Sequence, residues 1–153
     1  MEFSATDWVN IGLTEAILSR EGSPLYVAAE RGAIAAVKVM CAAGANLEVR
    51  GPANKRPLHA AAEQGHAGIV AILLSAGCEI NPQDEDGNSP LISAVLAGQS
   101  PTVELLLAVG VDVEVMRVDG LTAFHVAQLP DTPTAIRELM ELAVEQIHPD
   151  MLE

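Results

Sequence analysis

The sequence contains few aromatic residues and few cysteines. Only 3% of its 153 residues are aromatic, although half are hydrophobic. A core of this composition packs mainly Ala, Val, Leu and Ile, which favours thin, closely stacked helices. The only cysteines, Cys41 and Cys78, form no CxxC pair and lie in Ala-rich stretches, so we expect two free, reduced thiols. A chain of this length suits one compact domain that needs neither disulfides nor metal.

Basic residues are also scarce. Eight Lys and Arg face 21 Asp and Glu, which gives a formal net charge of −13. This charge opposes the phosphate neutralisation that drives nucleic-acid binding, and it repels anionic lipid surfaces. We therefore expect no nucleic acid and no membrane as partner. We also expect a monomer, because excess charge of one sign opposes self-association.

Long apolar runs are missing as well. Residues 1–22 lack a basic start followed by an apolar stretch, and no 18-residue apolar segment occurs. We expect no secretory signal and a cytoplasmic protein. A leader removed before Met1 would overturn this expectation.

What the sequence does contain is a pattern that recurs every 33 residues. The prolines of the pattern are Pro24, Pro57 and Pro90, and Ala123 holds the next position. Two glycine series keep the same interval: Gly32, Gly65 and Gly98, with Asp131 next, and Gly44, Gly77 and Gly110. Three independent series with one period indicate an internally repeated architecture.

Each unit predicts a helix, a turn, a second helix and a projecting hairpin. A polar residue followed by Pro begins the first helix, as at Ser23 and Ser89, because Pro at the first helical position gives up an N–H that has no partner. The second helix carries a broader apolar stripe at 69–74 and ends at Gly77. Alternating residues then lead to the turn signal Asp86-Gly87. One unit cannot bury its own apolar faces, so the units must stack.

These residues resemble the ankyrin repeat, a 33-residue unit with the signature T-P-L-H-x-A. The resemblance covers about residues 22–147, and its four matches are Ser23-Pro24-Leu25-Tyr26-Val27-Ala28, Arg56-Pro57-Leu58-His59-Ala60-Ala61, Ser89-Pro90-Leu91-Ile92-Ser93-Ala94 and Thr122-Ala123-Phe124-His125-Val126-Ala127. Tyr26 and Ile92 depart from the signature by replacing the His, and Arg56 replaces the hydroxyl residue. The fourth unit lacks both the Pro and the mid-repeat Gly.

The resemblance implies an all-α fold, namely an ankyrin-repeat solenoid of stacked helix-turn-helix pairs with projecting β-hairpin loops. We expect one domain of about four repeats: an N-terminal cap at 1–22, repeats at 23–55, 56–88 and 89–121, and a C-terminal capping repeat at 122–153. The last helix is predicted near Thr134 to Ile147. Trp8 is expected to cover the end of the first repeat, or to belong to a contact surface.

Enzyme motifs are missing from the sequence. None of GxGxxG, GxxxxGK, HExxH or GxSxG occurs, and the caps and repeats leave no room for a catalytic domain. We therefore predict no enzyme activity, no cofactor and no metal site. The acidic run from Asp84 to Asn88 does not match a calcium loop, because an EF-hand register would place Pro82 and Ser93 at ligand positions.

The four histidines are expected to have structural roles or none. His59 and His125 stand at the His position of the signature, which in ankyrin repeats hydrogen-bonds the neighbouring hairpin and the hydroxyl residue. His66 follows Gly65 where the family also commonly carries His. His148 stands alone near the C-terminus and is expected to be exposed.

The resemblance also implies a binding surface, because ankyrin repeats usually hold partners on the concave side formed by the hairpin tips and the inner ends of the first helices. The corresponding tip residues are Arg50, Pro52, Ala53, Lys55, Arg56, Gln83, Glu85, Asp86, Asn88, Met116, Val118, Asp119 and Leu121. The corresponding helix residues are Glu30, Arg31, Glu63, Gln64, Leu96 and Ala97. The side chains at the three tips differ in character: the first tip is basic, the second is acidic and the third is apolar.

Two groups within this set leave alternatives open. A basic group either docks a carboxylate-bearing segment or offsets its acidic neighbours. It consists of Arg50, Lys55 and Arg56. An apolar group either anchors a partner or packs against the irregular fourth unit. It consists of Leu96, Met116, Val118 and Leu121.

The surface predicts an adaptor or inhibitor that binds another protein. A substrate-recruiting fragment of a larger enzyme or effector is one alternative. An engineered repeat binder is another, although irregular stretches such as residues 50–59 favour a natural sequence.

Overall fold

A computed structural model describes residues 23–152, with side chains from 23 to 150. The predicted N-terminal cap, including Trp8, lies outside the described residues. Within that range the chain forms helix pairs. Their first helices are α1 (Pro24–Arg31), α3 (Pro57–Glu63), α5 (Pro90–Leu96) and α7 (Ala123–Ala127), and their second helices are α2 (Ile34–Ala42), α4 (Ala67–Ser75), α6 (Ser100–Ala108) and α8 (Thr134–Ile147). Short 3-10 segments lie at Pro52–Asn54 and Pro149–Leu152.

The secondary structure between residues 23 and 152 is entirely helical, which confirms the predicted all-α solenoid. The segments predicted as β-hairpins project between the helix pairs as tight turns. Each turn is too short for a strand ladder. The last helix, α8, has the bounds that the sequence predicted.

The first helices begin where the sequence indicated. The hydroxyl oxygens of Ser23 and Ser89 accept the N–H groups of Tyr26 and Ile92, each at 3.3 Å, and a proline follows each serine. Such side-chain acceptors satisfy donors that have no partner within the helix. The Arg56 side chain offers no such acceptor. At this helix start, Nδ1 of His59 accepts the backbone N–H of Arg56 at 3.0 Å.

The helices pack in two layers, one of first helices and one of second helices. Alanines at the contacts of the first helices are fully buried, and their small side chains let neighbouring backbones approach closely. They are Ala28, Ala29, Ala61, Ala62, Ala94 and Ala127. This packing explains why a stable core needs so few aromatic residues.

Hydrogen bonds join the first three helix pairs to one another. The His66 ring bonds the Glu30 carbonyl at 3.0 Å, and in the following unit the Gln99 amide donates to the Glu63 carbonyl at 3.1 Å. Gly65 makes room for the second contact, because it has a φ of +76° and a Cβ there would lie 2.4 Å from the Gln99 side chain. The left-handed φ therefore favours glycine here, and a larger residue would also displace the Gln99 side chain.

A second series of bonds joins the start of each projecting segment to the next unit. Glu48 accepts the N–H of Glu79, and Asn81 accepts the N–H of Asp112, each at 3.0 Å. At the corresponding place in the last unit, Glu114 contacts the imidazole of His148. His148 was expected to be exposed, and its side chain is 42% exposed although it contacts Glu114.

Candidate protein-binding surface

The projecting segments form three loops at the same register positions, which we name loop 1 (residues 50–55), loop 2 (83–88) and loop 3 (116–121). One backbone hydrogen bond closes each loop. The donor is the N–H of Gly51, Asp84 or Arg117, and the acceptor is the carbonyl four residues later, at 2.8, 3.0 and 2.9 Å. The 33-residue period of the sequence is therefore kept at the level of individual bonds.

The three loops are bonded to one another. The N–H of Glu85 donates to the Ala53 carbonyl at 2.9 Å, and the N–H of Val118 donates to the Asp86 carbonyl at 3.1 Å. The Gln83 amide adds a bond of 2.8 Å to the Met116 carbonyl. The loops therefore form one continuous ribbon, which we name the loop ribbon.

Gly87 makes the contact between loops 2 and 3 possible. Its φ is +82°, and a Cβ built on it would lie 2.7 Å from the Val118 nitrogen and 2.8 Å from the Arg117 Cα. Both atoms belong to the backbone and cannot move aside as a side chain can. Only glycine lets the two loops approach this closely.

Loop 2 folds around the carboxylate of Asp84. This carboxylate accepts the N–H groups of Asp86 and Asn88, each at 2.9 Å, and the side-chain amide of Asn88 at 3.3 Å. The acidic run thus holds its own turn together. Within residues 23–152, no group of three or more His, Cys, Asp or Glu side chains is arranged to hold a metal ion.

His59 links loop 2 to the first-helix layer. Its ring is fully buried, and Nε2 donates to the Asn88 carbonyl at 2.7 Å. The structural role predicted for His59 is confirmed by this bond to the projecting segment. Burial lowers the pKa of His59, although the Asn88 carbonyl and the Asp84 carboxylate act in the opposite direction. His125 contacts the N–H and the hydroxyl of Thr122 through Nδ1, at 3.2 and 2.8 Å, which agrees with the predicted contact to the hydroxyl residue, and its ring is exposed.

One member of the basic group, Lys55, pairs with an acidic neighbour. Nζ of Lys55 lies 2.6 Å from a carboxylate oxygen of Glu63, which ties loop 1 to the end of α3. Arg56 is half-buried at the start of that helix, and Arg50 is exposed. The ion pair favours the interpretation that the basic loop offsets acidic charge.

The apolar group is exposed on loop 3 and at the end of α5. Met116 is 59% exposed and also lines a groove with Phe124 and Val144 of the last unit. Val118 is 78% exposed, so packing against the last unit does not account for it. Exposed apolar side chains that lie together are a feature of surfaces that bind other proteins.

The remaining predicted contact residues divide by exposure. The exposed ones are Glu30, Arg31, Pro52, Ala53, Gln64, Gln83, Glu85, Asp86, Ala97 and Asp119. Asn88 differs from them, because it is only 8% exposed and its side chain turns toward Asp84.

The sequence matches the family model for ankyrin repeats, described as three copies, over residues 7–84 and again over 76–150. The protein belongs to the ankyrin-repeat family. The match supports about three repeats rather than the four expected from the sequence, and the first helix of the last unit has only five residues. No curated protein shows significant similarity to the chain.

Ankyrin repeats are generally protein–protein interaction modules, and domains built from them are typically non-catalytic. In the described part of this ankyrin protein, no helix combines the length and apolar character needed to cross a membrane.

A cavity of about 170 Å³ lies where the loop ribbon meets the first helices of this ankyrin stack. Its walls are Lys55, Glu63, Asn88, Ser93, Leu96 and Ala97. Ser93 was not among the predicted contact residues. A signal was present, because the corresponding positions Val27, Ala60 and Val126 are apolar and Ser93 is the polar exception.

Proposed function

We propose that this ankyrin protein binds a partner protein on its concave face and acts as an adaptor or inhibitor, without catalysis. The concave face consists of the loop ribbon and the exposed ends of the first helices (Glu30, Arg31, Glu63, Gln64, Leu96 and Ala97). The observation that carries the proposal is the exposed apolar group, above all Val118. Covering such apolar side chains with a partner removes them from water, which contributes favourable free energy to binding.

The hydrogen bonds between the loops support the same function. A surface held by bonds such as Val118 to Asp86 loses little conformational freedom when it binds, so more of the contact energy becomes affinity. A specific interface buries about 1,200–2,000 Å² in total, and loop tips from three units with three helix ends are of a suitable extent for one side of it.

The composition supports the rest of the proposal. A net charge of −13 favours a protein over nucleic acid or an anionic membrane, and it favours a monomer. Two free thiols at Cys41 and Cys78 are in keeping with a reducing, cytoplasmic location. We further propose the unit boundaries 23–55, 56–88 and 89–121, with 122–153 as the capping repeat.

The test compares two double variants that add the same charge on different faces. Met116→Asp with Val118→Asp alters the concave face, and Val109→Asp with Leu142→Asp alters exposed positions on the second-helix side. Proteins captured from the native source by the unaltered chain are identified, and their affinities for the three baits are measured with purified components. Circular dichroism confirms that all three baits are folded.

We expect the concave-face variant to bind the partner with at least tenfold lower affinity, which corresponds to about 1.4 kcal/mol of binding free energy. The second-helix variant is expected to bind as the unaltered chain does. Equal binding by both variants, or a loss confined to the second-helix variant, refutes the proposed function.

A further inference from the structure

We propose that the apolar surface of loop 3, together with the groove beside it, binds a segment of the partner protein in which apolar side chains lie next to lysine or arginine. This inference rests on the proposed function, because it concerns the same concave face. It adds the chemistry that the partner must carry.

The groove extends the apolar surface of loop 3 into the last unit. Its volume is about 290 Å³, and its apolar walls are Val113, Met116, Phe124 and Val144. Met116 belongs both to this groove and to the exposed apolar group, so the two are continuous. Contiguous exposed apolar surface is a feature of sites that bind other proteins.

Phe124 shows that the groove is an uncovered part of the stack. Leu58 and Leu91 hold the same register position in the earlier units, and they are 1% and 2% exposed. In those units, the first helix packs against the first helix of the next unit. Phe124 is only half-buried and lines the groove. An apolar side chain of a partner would therefore cover a position that is closed in the earlier units.

The negative charge of the described residues is concentrated in the part of the stack that carries loop 3. Residues 83–150 contain 12 acidic and two basic residues, which gives a formal charge of −10. Residues 23–82 contain four acidic and five basic residues, which gives a formal charge of +1. Loops 2 and 3 belong to the acidic part, whose field attracts a cationic segment and repels an anionic one.

The two basic residues of the acidic part already have acceptors. Arg117 lies 3.5 Å from the carboxylate of Asp119. The guanidinium of Arg137 donates to the carbonyls of Leu129 and Pro130, at 2.8 and 3.1 Å. Neither arginine lines the groove, so a carboxylate of the partner would meet no free cation there.

Acidic side chains lie on both sides of the apolar surface. On one side is loop 2, where Glu85 and Asp86 are exposed and the Asp86 carbonyl accepts the N–H of Val118 at 3.1 Å. On the other side Glu114 lines the groove, and its side chain is 59% exposed although it contacts His148. Lysine or arginine beside the apolar residues of a partner would meet these carboxylates, whereas aspartate or glutamate would be repelled. Charge complementarity therefore selects a segment that is both basic and apolar.

The test is an NMR titration of the full chain with three blocked peptides. The first peptide has two leucines flanked by lysines (Lys-Leu-Gly-Leu-Lys), the second replaces the leucines with serine, and the third replaces the lysines with glutamate. We expect the first peptide to shift the backbone signals of Met116, Val118 and Phe124. Its affinity should be at least fivefold higher than that of either other peptide.

A matched pair of double variants tests the contribution of the nearby carboxylates. Glu85→Gln with Asp86→Asn removes two exposed charges from loop 2, and Glu104→Gln with Glu138→Gln removes two exposed charges from the second helices. Both variants change the net charge equally, so a general attraction affects them alike. We expect at least threefold weaker binding of the first peptide by the loop 2 variant and unchanged binding by the other.

Equal binding of the first and third peptides, equal weakening by both variants, or shifts spread over the second helices overturns the inference. Concentration-dependent shifts of the same signals in the protein alone also overturn it, because they would identify a second copy of the chain as the occupant.

The outcomes separate this inference from the proposed function. If the first peptide fails to bind at loop 3 while Met116→Asp with Val118→Asp still loses the partner, only the chemistry assigned to the partner is wrong. If the peptide binds there while that variant keeps the partner, the proposed function is wrong instead.

Discussion

Replacement of His59 by leucine tests whether one buried side chain holds loop 2 on the first helices. The ring is fully buried, accepts the Arg56 N–H at 3.0 Å and donates to the Asn88 carbonyl at 2.7 Å. Leucine has nearly the same volume but bonds neither group. His125→Leu is the matched control, because His125 has the same register position but is exposed, and among the described residues its ring has hydrogen-bond contacts only with Thr122.

The expected loss follows from the two backbone groups that the variant leaves unpaired. The buried Asn88 carbonyl left without its partner costs about 1–3 kcal/mol, and the lost bond of the part-buried Arg56 N–H costs about 0.5–1.5 kcal/mol. His59→Leu should therefore lower the free energy of unfolding by roughly 1.5–4.5 kcal/mol. This is a large part of the ~5–15 kcal/mol that stabilises a typical domain. For His125→Leu we expect a loss below about 1 kcal/mol, because water replaces the missing bonds.

Urea unfolding followed by circular dichroism gives both free energies. Losses of equal size for the two variants would refute the structural role assigned to His59. A small loss for His59→Leu, within the range of the control, would refute it as well.

His59 should also make the free energy of unfolding depend on pH, in a direction that follows from its burial. Burial lowers the pKa of His59 in the folded state, so below about pH 6.5 the unfolded chain takes up a proton that the folded chain resists. The free energy of unfolding should therefore fall as the pH drops through this range, and part of that fall should be missing in His59→Leu. Identical slopes for the two proteins between about pH 7 and pH 5 would contradict this prediction.

Two further predictions concern the close contact of loops 2 and 3 and the reactivity of a thiol. Gly87 and Gly120 have nearly equal φ angles of +82° and +83°, but only at Gly87 would a Cβ meet neighbouring backbone. Both alanine variants bear the cost of a left-handed conformation, but only Gly87→Ala should also disturb neighbouring backbone. In urea titrations, Gly87→Ala should therefore lower the free energy of unfolding by at least ~1 kcal/mol more than Gly120→Ala. Equal losses would contradict the tight contact between loops 2 and 3. Burial raises the pKa of the Cys78 thiol to about 12. Iodoacetamide at about pH 8 should therefore label it at least tenfold more slowly in the native protein than in urea, as followed by peptide mass spectrometry, and equal rates would contradict its burial.

The helix pairs could be predicted because local chemistry determines them. A serine before a proline places the start of α1 and of α5, and the recurring glycines place the ends. The number of full repeats was harder to predict, since the signature at Thr122 is nearly complete although the helix after it is short. The predicted β-hairpins are turns because the backbone bonds within each loop span only three or four residues, and further bonds go to the neighbouring loops.

The details of the candidate surface could not be read from the period. Register places Lys55 and Asn88 at loop tips, but it does not show which side chains turn inward. Lys55 reaches Glu63 across eight residues, and Asn88 follows the left-handed Gly87 and turns its amide to Asp84. Both results depend on how the loop packs on the first helices, which only the folded structure contains.

Hydrogen–deuterium exchange of the protein alone and with its captured partner tests the concave face most directly. We expect slower exchange on binding in loops 2 and 3 (residues 83–88 and 116–121), with unchanged exchange in α4 and α6. Protection confined to the second helices, with the loops exchanging as in the free protein, would contradict a concave binding face.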